Sequence, residues 1–342
     1  MKRPVGGFLP LRLPAGTPPV ISLLAEWVGP DTQHWMLHNG RSALHALWQA
    51  DKPRRIWLPA YVCSEVASSV PASGDLRYFP LDNALQPRID FLSANVQEGD
   101  HILAVDYFGR PANPEFVALV HARPDVGWVE DRAHALDPGE PSWGDWVLYS
   151  PRKLVGVPDG GILVAARKPL PPLTTTPLSD FSFALPAFER FEDRGEERNE
   201  QWYASYQREE RAMKVGNQVM SRMALDVLNS VDVKDDSTRR RRNYEVLRNR
   251  LAEWSFFAEP GIGFAPLGFP IRVKNAAMLA KGLSERHIFA ARHWATLPSD
   301  PRTFAAEHRL ANELLTLPID YRYGEPDMHR VADAVIAVIA GA

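Results

Sequence analysis

Between residues 39 and 165 the sequence alternates short apolar runs with amphipathic stretches, and few architectures satisfy that alternation. In "NGRSALHALWQA" the residues Ala43, Leu44, Leu47 and Trp48 recur at a helical period directly after Asn39-Gly40. "RRIWLPAYV" reads as a strand, "CSEVASSVPA" as a helix and "LRYFPLD" as a strand. "NPEFVALVHARP" reads as a helix between two strands, "HILAVDYFG" and "VGWVED". Two further buried strands, "WVLYS" and "ILVAA", flank the turn "PDGG". Strand–helix–strand alternation at this spacing predicts an α/β fold with a mostly parallel sheet covered by helices.

After residue 165 the pattern changes. "KPLPPLTTTPL" is a proline-rich crossing segment, and a charged helical stretch runs from about Glu196 to Val227. A helix "STRRRRNYEVLRNRLAEW" follows, then strands near "FPIRV" and "LLTLPI", a helix near "AAMLAKGLSER" and a last amphipathic helix from Met328 to Ile339. This predicts a large domain over residues 1–195, a linking helical segment over 196–235 and a smaller α/β domain over 236–342.

Charge and cysteine use narrow the function classes. The net charge of −3 gives no electrostatic case for nucleic acid or an anionic membrane surface. The basic run Arg239 to Arg242 reads as a solvated helix face or a set of salt bridges. No apolar run approaches 18 residues, so no membrane span is expected, and the start "MKRPVGGFLPLRLPAG" lacks the apolar core of a signal peptide. A single cysteine, Cys63, excludes an intramolecular disulfide framework and fits a reducing, cytoplasmic setting. His34 and His38 are four apart and could flank a metal on a helix, but no third ligand accompanies them, so no metal is expected.

Three features fall at turns on the edge of one sheet. Lys153, one of eight lysines, lies on the tight connection between the strands "WVLYS" and "ILVAA". Asp131 ends the strand "VGWVED", where a side chain points into the crevice in which α/β sheets bind ligands. Asn39, Gly40, Arg41 and Ser42 open a helix, and free amides with the helix dipole make an anion site there. Each residue alone has an ordinary reading: a surface lysine, a turn-capping aspartate, a helix start. Together they match pyridoxal phosphate, which needs an amine for its aldehyde, a carboxylate for its ring nitrogen and donors for its phosphate.

The ordered segments "NGRSALHAL", "LPAYVC", "DYFGRP", "VEDRAHAL" and "SPRKLVGVPDGG" resemble those of the DegT/DnrJ/EryC1/StrS sugar aminotransferases, within the fold type I pyridoxal phosphate enzymes. The resemblance covers about residues 30 to 165 and continues faintly through "FPIRV", "RHW" and "LPIDYRY". It implies Lys153 as the Schiff-base lysine and Asp131 as the partner of the pyridinium nitrogen. It implies His134 near the ring and its phenolic oxygen, Ser150 near a phosphate-binding serine, and Gly40, Arg41 and Ser42 as the phosphate-cradling helix start. The aromatic residue that stacks on the cofactor would fall at Tyr61 or Cys63. The resemblance further implies a ping-pong transamination with Glu or Gln as donor and a keto group, most often on a nucleotide-linked sugar, as acceptor. It also implies a homodimer in which a residue reaches into the partner's site. The family's asparagine for that reach is missing, and Ser221 and Arg222 stand nearest to it. The charged insert "FERFEDRGEERNEQWYASYQREE" is unlike a typical nucleotide-sugar enzyme. The alternative from another class is a non-catalytic sensor or partner protein that keeps the fold.

Overall fold

The six apolar runs read as strands in the first half form a single sheet with a seventh strand, His34–Leu37, that the sequence reading did not assign, in a computed structural model of the chain, which describes residues 3–341 except 15, 18, 194–197 and 259–262. In chain order the strands are β1 (His34–Leu37), β2 (Ile56–Pro59), β3 (Leu76–Phe79), β4 (His101–Val105), β5 (Gly127–Asp131), β6 (Trp146–Tyr149) and β7 (Gly161–Ala165). Their spatial order is β1-β7-β6-β5-β4-β2-β3. Strands β3, β2, β4, β5 and β6 are parallel to one another. Only β7 runs against them, and β1 pairs antiparallel with β7, so β1 points the same way as the parallel set. Six carboxyl ends therefore open on one edge of the sheet, the side on which α/β proteins place their ligands.

Both faces of the sheet are covered, so β4 and β5 are buried along their whole length. Leu58, Leu103, Val129 and Leu148 face one core with Leu44, Leu47 and Trp48 of helix α1 (Gly40–Asp51). Their alternates Trp57, Ile102 and Trp128 face the other, with Phe116 and Val120 of α2 (Pro114–Ala122). Each of these helices starts on an asparagine cap. Asn39 Oδ1 accepts from Ser42 N at 2.9 Å, and Asn113 Oδ1 from Phe116 N at 2.7 Å with Pro114 in the first turn.

The charged stretch expected as one helix from Glu196 to Val227 is two, α3 (Asn199–Ala212) and α4 (Arg222–Ser230); Glu196 itself lies outside the described residues. The chain between them is extended because its backbone finds sheet-like partners. His38 N donates to Gln218 O, Met220 N to Met36 O, and Thr176 and residues 217–219 exchange two further bonds. Ser221 then caps α4, its hydroxyl accepting from Ala224 N at 3.2 Å.

Helix α5 (Val233–Arg250) carries the basic run. Arg239, Arg241 and Arg242 pair with Asp235, Asp137 and Glu325. Arg240 departs from the solvated reading: it is buried and donates to the carbonyls of Leu154, Pro266 and Leu267 at 2.8, 3.2 and 3.2 Å. Four consecutive helical residues sweep the whole circumference, so one of them must face inward. That one ties α5 to the chain just after Lys153. The C-terminal elements β8 (Gly268–Arg272), β9 (Leu314–Pro318) and α6 (Glu325–Ala340) share a core with Tyr244 and Leu247 of α5. The two-residue strand Val5–Gly6 pairs with Ile288–Phe289, so the N-terminal end of the chain lies with these elements. Among the described residues no helix is long and apolar enough to cross a membrane.

Candidate active site

Asp131 closes β5, and Lys153 follows β6 by four residues in the 3-10 turn Pro151–Lys153. Because β5 and β6 are parallel neighbours, with Asp131 in register with Leu148, both side chains rise from the same edge. Asp131 is buried, and its Oδ1 accepts from Ala133 N at 2.9 Å. Burial raises its pKa, while the nearby positive charge of Lys153 pulls it down.

His134 lies between these residues and the rest of the site. It is fully buried, and burial, followed by the charges of Lys153 and His293, holds its pKa well below the ordinary range. The imidazole is therefore neutral and carries one proton. Phe108 N donates to Nδ1 at 3.4 Å. Nε2 stands 3.3 Å from Lys153 Nζ, within hydrogen-bond reach. Trp294 walls the pair, its ring 5.7 Å from that of His134 and 5.8 Å from Nζ. His293, its ring 5.5 Å from His134, has a pKa pushed down to about 3 by burial and then by Lys153.

Tyr61 is fully buried, with its ring against Trp294 at 5.6 Å and Tyr107 at 5.9 Å. Cys63 is buried as well; burial pushes its thiol up to about 11, the charge of Lys153 opposes that shift, and the charge of Asp131 adds to it.

The helix start at Gly40, Arg41 and Ser42 is partly engaged by the chain itself. Ser42 N is held by Asn39, Ser42 Oγ accepts from Gly216 N at 3.2 Å, and Asn39 Nδ2 donates to Lys214 O at 3.3 Å. Arg41 reaches outward to Glu210 of α3, 3.6 Å away, and Arg152 makes two bonds to the same carboxylate at 2.6 and 3.2 Å. Burial raises the Glu210 pKa, but Arg152, Arg41 and Lys153 outweigh it and hold the carboxyl below its usual range. Arg41 Nη2 and Arg152 Nε are buried donors without a hydrogen-bond partner among the described residues. Ser150 is half-buried; its carbonyl accepts from Lys153 N at 3.2 Å, and its hydroxyl takes part in no hydrogen bond found among the described residues.

Ser221 and Arg222 separate. Ser221 is buried and bound to Asp159 of the "PDGG" turn, N to Oδ2 at 2.8 Å and Oγ to Oδ1 at 2.5 Å, while Arg222 is exposed at the start of α4. His34 and His38 do not form a metal site. They lie on and just after a strand, not on a helix, and His38 Nδ1 is 3.2 Å from Asp159 Oδ2. Among the described residues no group of three ligating side chains could hold a metal ion.

Sequence reasoning missed Arg152, Glu210, His293 and Trp294. "RHW" carried a trace of the last two. Nothing in "QREE" singles out Glu210, whose partner Arg152 lies 58 residues away. Taken together the residues fit pyridoxal phosphate: an amine outside any ion pair found, a buried carboxylate, and two orphaned guanidinium donors that call for an oxyanion.

No protein-family model matches this sequence, and no curated protein is similar to it. Solved structures are similar. A DegT DnrJ EryC1 StrS aminotransferase from Brucella abortus is 15% identical with a TM-score of 0.63, over 92% of this chain and 87% of its own. DesV of S. venezuelae, in complex with a ketimine intermediate, is 18% identical with a TM-score of 0.66, over 91% of this chain and 86% of its own. DesI, in the presence of its TDP-sugar product, is 18% identical with a TM-score of 0.65, over 93% of this chain and 83% of its own. At these identities the likeness is one of fold: the chain folds as the DegT/DnrJ/EryC1/StrS aminotransferases do.

Proposed function

We propose that this protein is a pyridoxal-phosphate-dependent aminotransferase. The observation that carries the proposal is the Lys153 amine 3.3 Å from a neutral, buried His134, beside Asp131 on the carboxyl edge of the parallel strands. When bound, the cofactor supplies an electron sink for the carbanion formed at the amino donor's α-carbon. Lys153 holds the cofactor covalently at rest and takes and returns the α-proton during turnover. His134 orients that amine through Nε2. Asp131, screened from water, would keep a proton on the cofactor's ring nitrogen. Arg41 and Arg152 bind an oxyanion in fork geometry, and Trp294 closes the site on the small-domain side.

The donor we propose is glutamate or glutamine and the acceptor a keto group on a nucleotide-linked sugar, used in alternating half-reactions. The TDP-sugar of the DesI structure supports the acceptor class by likeness of fold. The test is direct. Glutamate or glutamine added without any acceptor should yield one equivalent of the corresponding keto acid per site and then stop. Absence of keto acid from every amino donor tried would contradict the proposal.

We further propose a homodimer that shares its sites, with the exposed Arg222 at the start of α4 as the reaching residue. Sedimentation should give about twice the 38.4 kDa chain mass. Mixing Lys153→Ala with Arg222→Ala subunits should restore part of the activity that each lacks alone. A fully active monomer would refute the shared site.

A further inference from the structure

Glu210 stands where an oxyanion ligand belongs. Its two oxygens bond Arg152 at 2.6 and 3.2 Å, and Oε1 stands 3.6 Å from Arg41 Nη2. The charge of Lys153 also acts on this carboxylate, so three cations share one anion. The hydrogen bonding is equally incomplete, since Arg41 Nη2 and Arg152 Nε are buried without a hydrogen-bond partner among the described residues. A planar carboxylate has two oxygens and one charge. A phosphate has three terminal oxygens and close to two charges, and it sits on guanidinium forks as a carboxylate does. Arg41 also lies in the first turn of the 12-residue α1, whose dipole favours a negative group at that end.

The carboxylate is carried by α3, outside the sheet. Helix α3 is anchored to the N-terminal segment by Phe8, stacked on Tyr206 at 4.4 Å and edge-on to Trp202 at 5.1 Å. Just beyond Glu210 the chain crosses the start of α1 through Lys214 O and Gly216 N.

We infer that Arg41 and Arg152 form a phosphate-class oxyanion site whose resident occupant is Glu210, and that the ligand binds by displacing this carboxylate. The chain then occludes its own site, and ligand affinity is set by competition with α3. Free phosphate, the cofactor's phosphate and a nucleotide diphosphate share this chemistry; assigning the oxyanion to the cofactor rests on the aminotransferase reading, whereas the site itself does not.

The experiment is calorimetric titration of the full chain and of Glu210→Gln with inorganic phosphate, pyridoxal phosphate, pyridoxal and TDP. Glutamine keeps the size and loses the charge. Phosphate should bind Glu210→Gln at least about tenfold tighter than wild type, and unphosphorylated pyridoxal should bind both alike. Equal or weaker phosphate binding by Glu210→Gln overturns the inference. Arg41→Gln, at the longer contact, covers the case in which Glu210→Gln does not fold: phosphate affinity should fall about tenfold with little change in unfolding midpoint, and an unchanged affinity again overturns the inference. Where phosphate gains, an added gain for pyridoxal phosphate and not for TDP assigns the site to the cofactor, and an added gain for TDP and not for pyridoxal phosphate assigns it to the sugar nucleotide. Phosphate competition without any pyridoxal phosphate binding sustains the site and contradicts the proposed activity instead.

Discussion

Replacing Asp159 should separate the loss of hydrogen-bond acceptors from the loss of charge at the turn that follows Lys153. Asp159 is fully buried and holds three groups: Ser221 N at 2.8 Å, Ser221 Oγ at 2.5 Å and His38 Nδ1 at 3.2 Å. Asp159→Ala removes every acceptor and strands at least the Ser221 amide and hydroxyl in a dry site. Each stranded donor costs about 1–3 kcal/mol, so the variant should lose about 3–5 kcal/mol. Asp159→Asn is milder. Its carbonyl oxygen can take the Oδ2 position and keep Ser221 N, and its amide can donate to Ser221 Oγ, which turns to accept. That leaves chiefly the loss of charge assistance, about 1 kcal/mol. In urea, with a slope of about 3 kcal/mol per molar for a chain of this size, the midpoint should fall by about 1 M for alanine and by about a third of that for asparagine. Tryptophan fluorescence is a suitable readout, because Trp27 and Trp146 lie in and beside the strands this turn connects. An alanine variant as stable as wild type, or an asparagine variant as weak as the alanine one, would refute this account of the turn.

Asp131→Asn should lower transamination at least about 100-fold while the chain keeps its fold and much of its cofactor affinity, because an amide cannot hold a pyridinium proton; near-normal turnover would make Asp131 structural only. His134 gives a pH prediction. Its folded pKa lies well below the ordinary 6.5, so the unfolded chain binds the extra proton first, and stability present above pH 6.5 is lost as the pH falls below that value. His134→Gln should flatten that acid limb by about 1.4 kcal/mol per pH unit while retaining a hydrogen-bond partner for Lys153. An acid limb as steep as the wild type's would show that His134 does not stay neutral when buried.

Six of the seven strands were legible because each is a short apolar run set off by turn residues, and local sequence sets those signals; β1, "HWML", was not, since two of its four residues are half-buried and one is exposed. Strand assignment brings Asp131, which ends β5, and Lys153, which follows β6, to one side; His134 was implied only by the family resemblance. The break between α3 and α4 was not legible. The segment 213–221 has a polar, helix-compatible composition, and what extends it is pairing with Met36, His38 and Thr176, far away in sequence. Arg240 misled for the same reason, since nothing in "RRRR" tells which guanidinium faces the carbonyls of Leu154 and Leu267. Between Tyr61 and Cys63 the sequence offered no means of choosing. The fold buries both, the tyrosine with its ring against Trp294 and Tyr107.

The central claim, that Lys153 is the residue that carries pyridoxal phosphate, has one direct measurement. The full chain is incubated with the cofactor, reduced with borohydride, digested and mapped by mass spectrometry. The account predicts a pyridoxyl-phosphate adduct on the peptide containing Lys153, and none on that peptide in Lys153→Ala, which should otherwise fold. A stoichiometric adduct on any other lysine of the chain, or none at all, would contradict it.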